Sequence, residues 1–150
     1  MERPAPSLKA RALRLLATRE HSRLELQQKL APHAESAQAL AQLLDDLHAK
    51  GLINEQRVLE SVLYRRAAKL GTARIRQELQ AKGLPEAAVQ AATEQLRSTE
   101  LNRARAVWSK KFGAPAQTPQ ERAQQLRFLS SRGFTADVLR RVVSGADDLD

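Results

Sequence analysis

Five basic side chains, Arg65, Arg66, Lys69, Arg74 and Arg76, lie between Ser61 and Gln77 with no acidic residue among them. Clustered Lys and Arg gain free energy by releasing counterions at a phosphate backbone, and they pair equally with an acidic protein surface. Arg65 and Lys69 are i,i+4 neighbours on one helix face, whereas Arg74 and Arg76 diverge. That spread suits a contoured acidic or phosphate surface better than one bidentate pocket. A second cluster, Lys110-Lys111, precedes a loop at Gly113, and Arg140-Arg141 forms a third. Basic residues in these places also neutralise helix C-termini. The formal net charge of +8 and a pI near 10.6 point the same way, towards a polyanionic or acidic partner. The plain alternative is a solvated basic surface that only keeps the chain in solution.

Residues suited to covalent or acid-base chemistry are sparse. His21, His33 and His48 lack the i,i+4 spacing that would join two of them at a metal on one helix. Asp45 and Asp46 are adjacent, so on a helix they point about 100° apart and read as a solvated face. No Gly-x-x-x-x-Gly-Lys-Ser/Thr or Gly-x-Gly-x-x-Gly stretch cradles phosphates, and no Ser stands in a Gly-x-Ser-x-Gly elbow. With 0 Cys there are no disulfides or thiolate metal sites. The expectation is a non-enzymatic protein with no cofactor, no metal and no catalytic residue. Of the aromatics, Tyr64, Trp108, Phe112, Phe128 and Phe134, most fall on core stripes, and Trp108 reads as core; a stacking platform for bases is poorly supported.

The elements that would position the basic groups are helical. Gly and Pro number 6 each, hydrophobic residues make up 42%, and Ala, Leu, Gln, Glu, Arg and Lys dominate. A pattern repeats at a period of about 50 residues. Leu79-Gln-Ala-Lys82-Gly83-Leu84-Pro85 aligns without a gap with Leu129-Ser-Ser-Arg132-Gly133-Phe134-Thr135. Each reads as a helix ending on a basic last turn, a left-handed Gly, an apolar Schellman contact and a new helix start. Pro85 suits a first helical position, and Thr135 suits a cap. A first segment fits more loosely, with Leu26, Lys29 and Leu30 where the second has Ile75, Glu78 and Leu79, and Ala34 in the place of Gly83; Lys50-Gly51-Leu52 closes its last helix. Apolar stripes open the three segments: Leu8, Ala12, Leu15, Leu16; then Val58, Leu59, Val62, Leu63; then Leu101, Ala104, Val107, Trp108. Ser22-Arg-Leu-Glu25 and Thr118-Pro-Gln-Glu121 are capping boxes, and Thr72 after Gly71 is placed to cap a helix.

These signals predict an all-α fold of nine helices in three tandem three-helix repeats, residues 8–53, 54–98 and 99–145, with a frayed tail over 1–7 and an acidic tail over 146–150. Short linkers would leave the row of repeats elongated. No apolar run approaches the roughly 18 residues of a membrane span and the start lacks the apolar core of a secretion signal, so the expected location is cytoplasmic, away from membranes.

The residues so assembled resemble the RecX family: Gly51-Leu52-Ile53 followed by Asn54-Glu55-x-Arg57, then Gly71-x-x-Arg74-Ile75-x-x-Glu78-Leu79-x-x-Lys82-Gly83, then Arg127-Phe128-Leu129-x-x-Arg132-Gly133-Phe134. The resemblance implies tandem three-helix repeats in an elongated, curved monomer that binds the groove of the RecA filament. It also implies inhibition of strand exchange and ATP hydrolysis, and contact with single- and double-stranded DNA. Candidate contact residues are then the five of the basic stretch with Arg57, Lys82, Lys110, Lys111, Arg127 and Arg132. The chain departs from the family pattern at Asn54, where an acidic residue is usual, at Val58-Leu59, where an aromatic-Ala pair is usual, and in a shortened turn at Leu70-Gly71. Asn54 can still cap and Val58 can still fill a core. Two rival readings are a nucleic-acid-binding helical module that works without RecA and a helical-repeat scaffold for another acidic protein.

Overall fold

A computed structural model describes residues 4–144. Among the described residues the regular structure is entirely helical, with eight α-helices, one 3-10 turn and no strand. In chain order they are α1 (Leu8–Thr18), α2 (Arg23–Leu30), the 3-10 turn Ala31–His33, α3 (Ala37–Ala49), α4 (Glu55–Arg66), α5 (Thr72–Ala81), α6 (Glu86–Lys111), α7 (Pro119–Ser131) and α8 (Ala136–Ser144). The acidic tail expected over 146–150 lies outside the described residues, as do 1–3 of the expected N-terminal tail; Ser7, the last residue of that tail, caps α1 by accepting from the Ala10 N–H at 3.0 Å.

Nine helices were expected, and the sixth and seventh are one. Helix α6 runs for 26 residues across the expected repeat boundary between 98 and 99. The reason is local: from Glu86 to Lys111 there is no Gly or Pro to stop the helix. Ser98 and Thr99, which could have capped a new start, instead donate back to the Gln95 and Leu96 carbonyls.

Most of the local signals are realised. Ser22 and Glu25 form a complete capping box. Thr118 accepts from the Glu121 N–H at 3.1 Å, but the Glu121 carboxylate returns to the Gln117 N–H at 2.7 Å, one residue earlier than a reciprocal box would have it. Asn54 caps α4 through its side-chain oxygen at 3.0 Å from the Arg57 N–H, and Val58 is buried, so both departures from the family pattern keep their local jobs. Gly51 and Gly133 adopt φ of 76° and 91°, and the following Leu52 and Phe134 N–H groups reach back to the Leu47 and Leu129 carbonyls as the Schellman pattern requires. The first segment, which has Ala34 instead of Gly, ends α2 through the 3-10 turn, and Ala34 is extended at φ −83°. Pro85 stands at the N-cap, one position before its expected place.

The chain divides into two compact units. The first comprises residues up to Ser61 together with Lys82–Leu84. Its core is Ala12 of α1, Leu26 and Leu30 of α2, Leu40, Leu44 and Leu47 of α3, and Ile53, with Leu8, Leu15 and Leu16 packed against it. The α1 stripe thus buries as its spacing required. The second unit comprises, among the described residues, Val62–Ala81 and residues 85–144. There α5 packs on α6, and α6, α7 and α8 enclose Ala104, Leu129, Phe134, Leu139, Val142 and Val143. Trp108 flanks this core, as expected, and its indole N–H donates to Gln125 at 2.9 Å; Gln125 in turn donates to the Ala114 carbonyl at 3.1 Å, tying down the loop before α7.

Candidate functional site

The turn between α4 and α5 carries part of the basic stretch, and Arg103 of α6 holds it. Every guanidinium donor of Arg103 is used: Nη1 donates to the Ala67 and Leu70 carbonyls at 2.9 and 2.6 Å, Nη2 to Thr72 Oγ1 and the Leu96 carbonyl at 3.1 and 3.0 Å, and Nε to Thr99 Oγ1 at 3.1 Å. Burial pushes the Arg103 pKa down, while the neighbouring Glu100 carboxylate opposes the shift. Glu100, 4% exposed, accepts from the Thr72 N–H at 3.0 Å. Thr72 was expected to cap α5; it is the first helical residue instead, and the capping acceptor is supplied by Glu100 from a different helix.

The same turn is seated on the turn between α7 and α8. The Gly71 N–H donates to the Arg132 carbonyl at 2.7 Å. A side chain at Gly71 would overlap the Gly133 backbone, and one at Gly133 would overlap the Arg74 stem. Arg74 Nη1 closes the contact on the Ser131 carbonyl at 2.9 Å. In the first unit the corresponding turn, Lys82–Leu84, receives α2 in the same way, with Lys82 Nζ 3.1 Å from Glu25 and Gly83 against Leu24. The basic-Gly-apolar turn therefore ends its own helix and also seats the start of the middle helix from the preceding segment.

This seating gathers cations that are far apart in the chain. A groove of about 840 Å³ in the second unit is edged by Arg66, Lys69 and Arg74 from one side of the sequence and Lys110, Lys111 and Arg132 from the other. Its floor is apolar, and Glu78 is the one carboxylate along it, paired with Arg66 at 3.2 Å. Phe128 lies in the groove with the Arg132 guanidinium 4.6 Å and the Lys111 ammonium 5.4 Å from its ring centroid, and with Phe112 edge-on at 5.5 Å. Six of the eleven candidate residues thus share one surface. Phe128, counted from the sequence with the core aromatics, is a floor residue that was missed; the only signal for it was the two basic neighbours in Arg127-Phe128 and Arg132.

The other five lie elsewhere. Arg65 and Arg127 are exposed and do not line the groove. Arg76 points away from Arg74, as the spacing required, and stands 3.8 Å from Glu86. Arg57 is tied within the first unit to Glu20 at 2.8 Å and to the Gly51 carbonyl at 2.7 Å. Lys82 and Glu25 are each only 13% exposed at the side chain, so this pair is a structural contact. Tyr64 was grouped among the largely core aromatics and is 91% exposed.

The Glu25 cluster gives a pH dependence with a definite sign. Burial alone would raise the Glu25 pKa, but hydrogen bonds from Arg19, the Ser22 N–H and Lys82 outweigh it and hold the carboxyl at about 2 against an ordinary 4.5. A depressed carboxylate contributes stability above its unfolded pKa and loses it as pH falls towards the folded one. His21, 1% exposed, has its Nδ1 3.0 Å from the Arg19 carbonyl and Nε2 3.1 Å from the Lys29 ammonium. Nδ1–H therefore donates and the bare Nε2 accepts from Lys29, an arrangement that protonation destroys. Burial lowers the His21 pKa, helped by the Arg19 and Lys29 charges, so stability falls once pH drops below about 6.5. Urea midpoints followed by circular dichroism should decline in two stages, below pH 6.5 and again below 4.5. Glu25→Gln should flatten the lower stage, which is worth on the order of 2–3 kcal/mol; an unchanged lower stage would contradict the assignment.

Among the described residues no group of His, Asp and Glu is placed to hold a metal ion, and no helix is long and apolar enough to cross a membrane. The chain matches family models described as the second three-helix domain of RecX over residues 54–92 and the third over 98–143. It is 52% identical over 145 residues to a Regulatory protein RecX of Leptothrix cholodnii, covering 97% of this chain and 92% of that protein. A Regulatory protein RecX of Ralstonia pickettii is 48% identical over 143 residues, 95% of this chain and 90% of the relative. The crystal structure of RecX from Lactobacillus salivarius superposes with a TM-score of 0.72 at 16% identity, covering 93% and 94% of the two chains.

Proposed function

The chain belongs to the RecX family of regulatory proteins, and from that premise we propose that it binds the RecA nucleoprotein filament and inhibits strand exchange and ATP hydrolysis. The observation that supports this reading is the cationic groove: Arg66, Lys69 and Arg74 meet Lys110, Lys111 and Arg132 on one surface, held together by the Gly71–Gly133 contact. A surface of that charge complements acidic protein and the phosphates of filament-bound DNA, single- or double-stranded, and no chemistry by the chain is needed. The chain acts as a monomer in the cytoplasm on this reading, and it restrains the filament by occupying successive contact surfaces.

The test is the ATPase rate of RecA on single-stranded DNA with the protein titrated in. Inhibition at or below stoichiometric protein, weakening as salt rises, is expected. Full ATPase activity at stoichiometric excess would reject the proposal. Pull-down with and without nuclease separates the rivals: RecA retained after digestion supports this reading, and RecA lost on digestion supports a nucleic-acid module instead.

A further inference from the structure

The cations of the groove are not equally available. Arg66 is committed to Glu78, and Arg74 to the Ser131 carbonyl. Lys69 and Lys110 have no carboxylate partner among the described residues, and Lys111 and Arg132 rest on the Phe128 ring. Between these four charges lies a floor of Ala68, Leu70, Ala106, Val107 and Phe128. No hydroxyl or amide side chain lines the groove, although such groups supply many contacts wherever a phosphodiester backbone is gripped. A phosphate chain would leave this floor uncovered. Apolar side chains would cover the floor, and carboxylates beside them would reach the four available cations.

We propose that this groove is the docking surface for an acidic amphipathic polypeptide segment, which places apolar side chains against Val107 and Phe128 and carboxylates on Lys69, Lys110, Lys111 and Arg132. The inference rests on the RecA-binding reading and specifies its chemistry at this surface: the contact is with protein, through an acidic and apolar segment, and not with the DNA backbone. Charge brings the segment in, and the apolar contact discriminates it from nucleic acid.

Fluorescence anisotropy on the full chain tests this with three probes: a short synthetic helix with Glu on one face and Leu on the other, the same peptide with every Leu replaced by Ser, and a single-stranded oligothymidylate. The Leu peptide is expected to bind at least about tenfold more tightly than the Ser peptide. Ala106 is exposed on α6, and Ala106→Gln fills the floor without changing charge or helix propensity much. It should weaken the Leu peptide about tenfold and leave the oligonucleotide unchanged. Equal binding of the two peptides, or equal weakening of peptide and oligonucleotide by Ala106→Gln, would overturn the proposal in favour of a charge-only or phosphate surface. Circular dichroism of the variant verifies its fold, and Ala106→Ser, which leaves the floor open, should bind as the parent does. RecA ATPase inhibition is scored separately. An inhibitor that binds no Leu peptide rejects the docking proposal alone, and a peptide binder that leaves RecA untouched rejects the RecA reading alone.

Discussion

Replacing Lys69, Lys110 and Lys111 together with Glu is expected to weaken RecA inhibition about a hundredfold, measured as the protein concentration for half-inhibition of the ATPase, while the chain stays folded. All three side chains are exposed and line one groove, so each loses an attractive charge and gains a repulsive one at the same surface. An interface charge of this kind contributes on the order of 1 kcal/mol, and three of them compound to about two powers of ten. The residual inhibition should also lose its weakening by salt, since salt now screens the introduced repulsion as well as the remaining attraction. The same reversal at Arg57 or Lys82 has another outcome. Those side chains hold Glu20 and Glu25 within the first unit, so their loss appears in thermal melts before it appears in inhibition. Undiminished inhibition by the folded triple variant at several salt concentrations would remove the groove from the mechanism.

The groove shows which parts of the site could be read from the chain. Each basic cluster was visible as charge, because an acid-free run is a local property of sequence. Their convergence was not visible, because it depends on Gly71 meeting Gly133, a contact between backbones far apart in the chain. Gly133 could be read as a helix stop, and that reading holds at φ 91°, but a stop signal says nothing of the surface that it presents to another turn. Thr72 illustrates the same limit. Its type and position fitted a cap, yet the acceptor that serves α5 comes from Glu100, 28 residues away, and no local rule finds it. The merged α6 is the opposite case: repeat spacing suggested a break that the local residues, without Gly or Pro, do not support. Stripes, stops and capping boxes are local and proved legible; Phe128 was half legible, since Arg132 is its neighbour in sequence and Lys111 meets its ring only in the fold.

The groove exists only while the turn over 67–71 is held, so the largest stability effect is expected at Arg103. Arg103→Leu removes donors from the Ala67, Leu70 and Leu96 carbonyls and from the Thr72 and Thr99 hydroxyls at once. A carbonyl left without its partner costs about 1–3 kcal/mol, so losing the donor to three of them is expected to cost about 3–5 kcal/mol, a large share of the roughly 5–15 kcal/mol that a domain has in all. At this chain length that is a fall in melting temperature of about 10 °C. Arg103→Lys should recover less than half of it, because an ammonium on a flexible stem cannot serve acceptors on two sides of a planar fork. Thermal melts of the two variants decide the matter. A melting temperature for Arg103→Leu within a degree or two of the parent would mean that the turn is held by the Gly71–Gly133 contact alone.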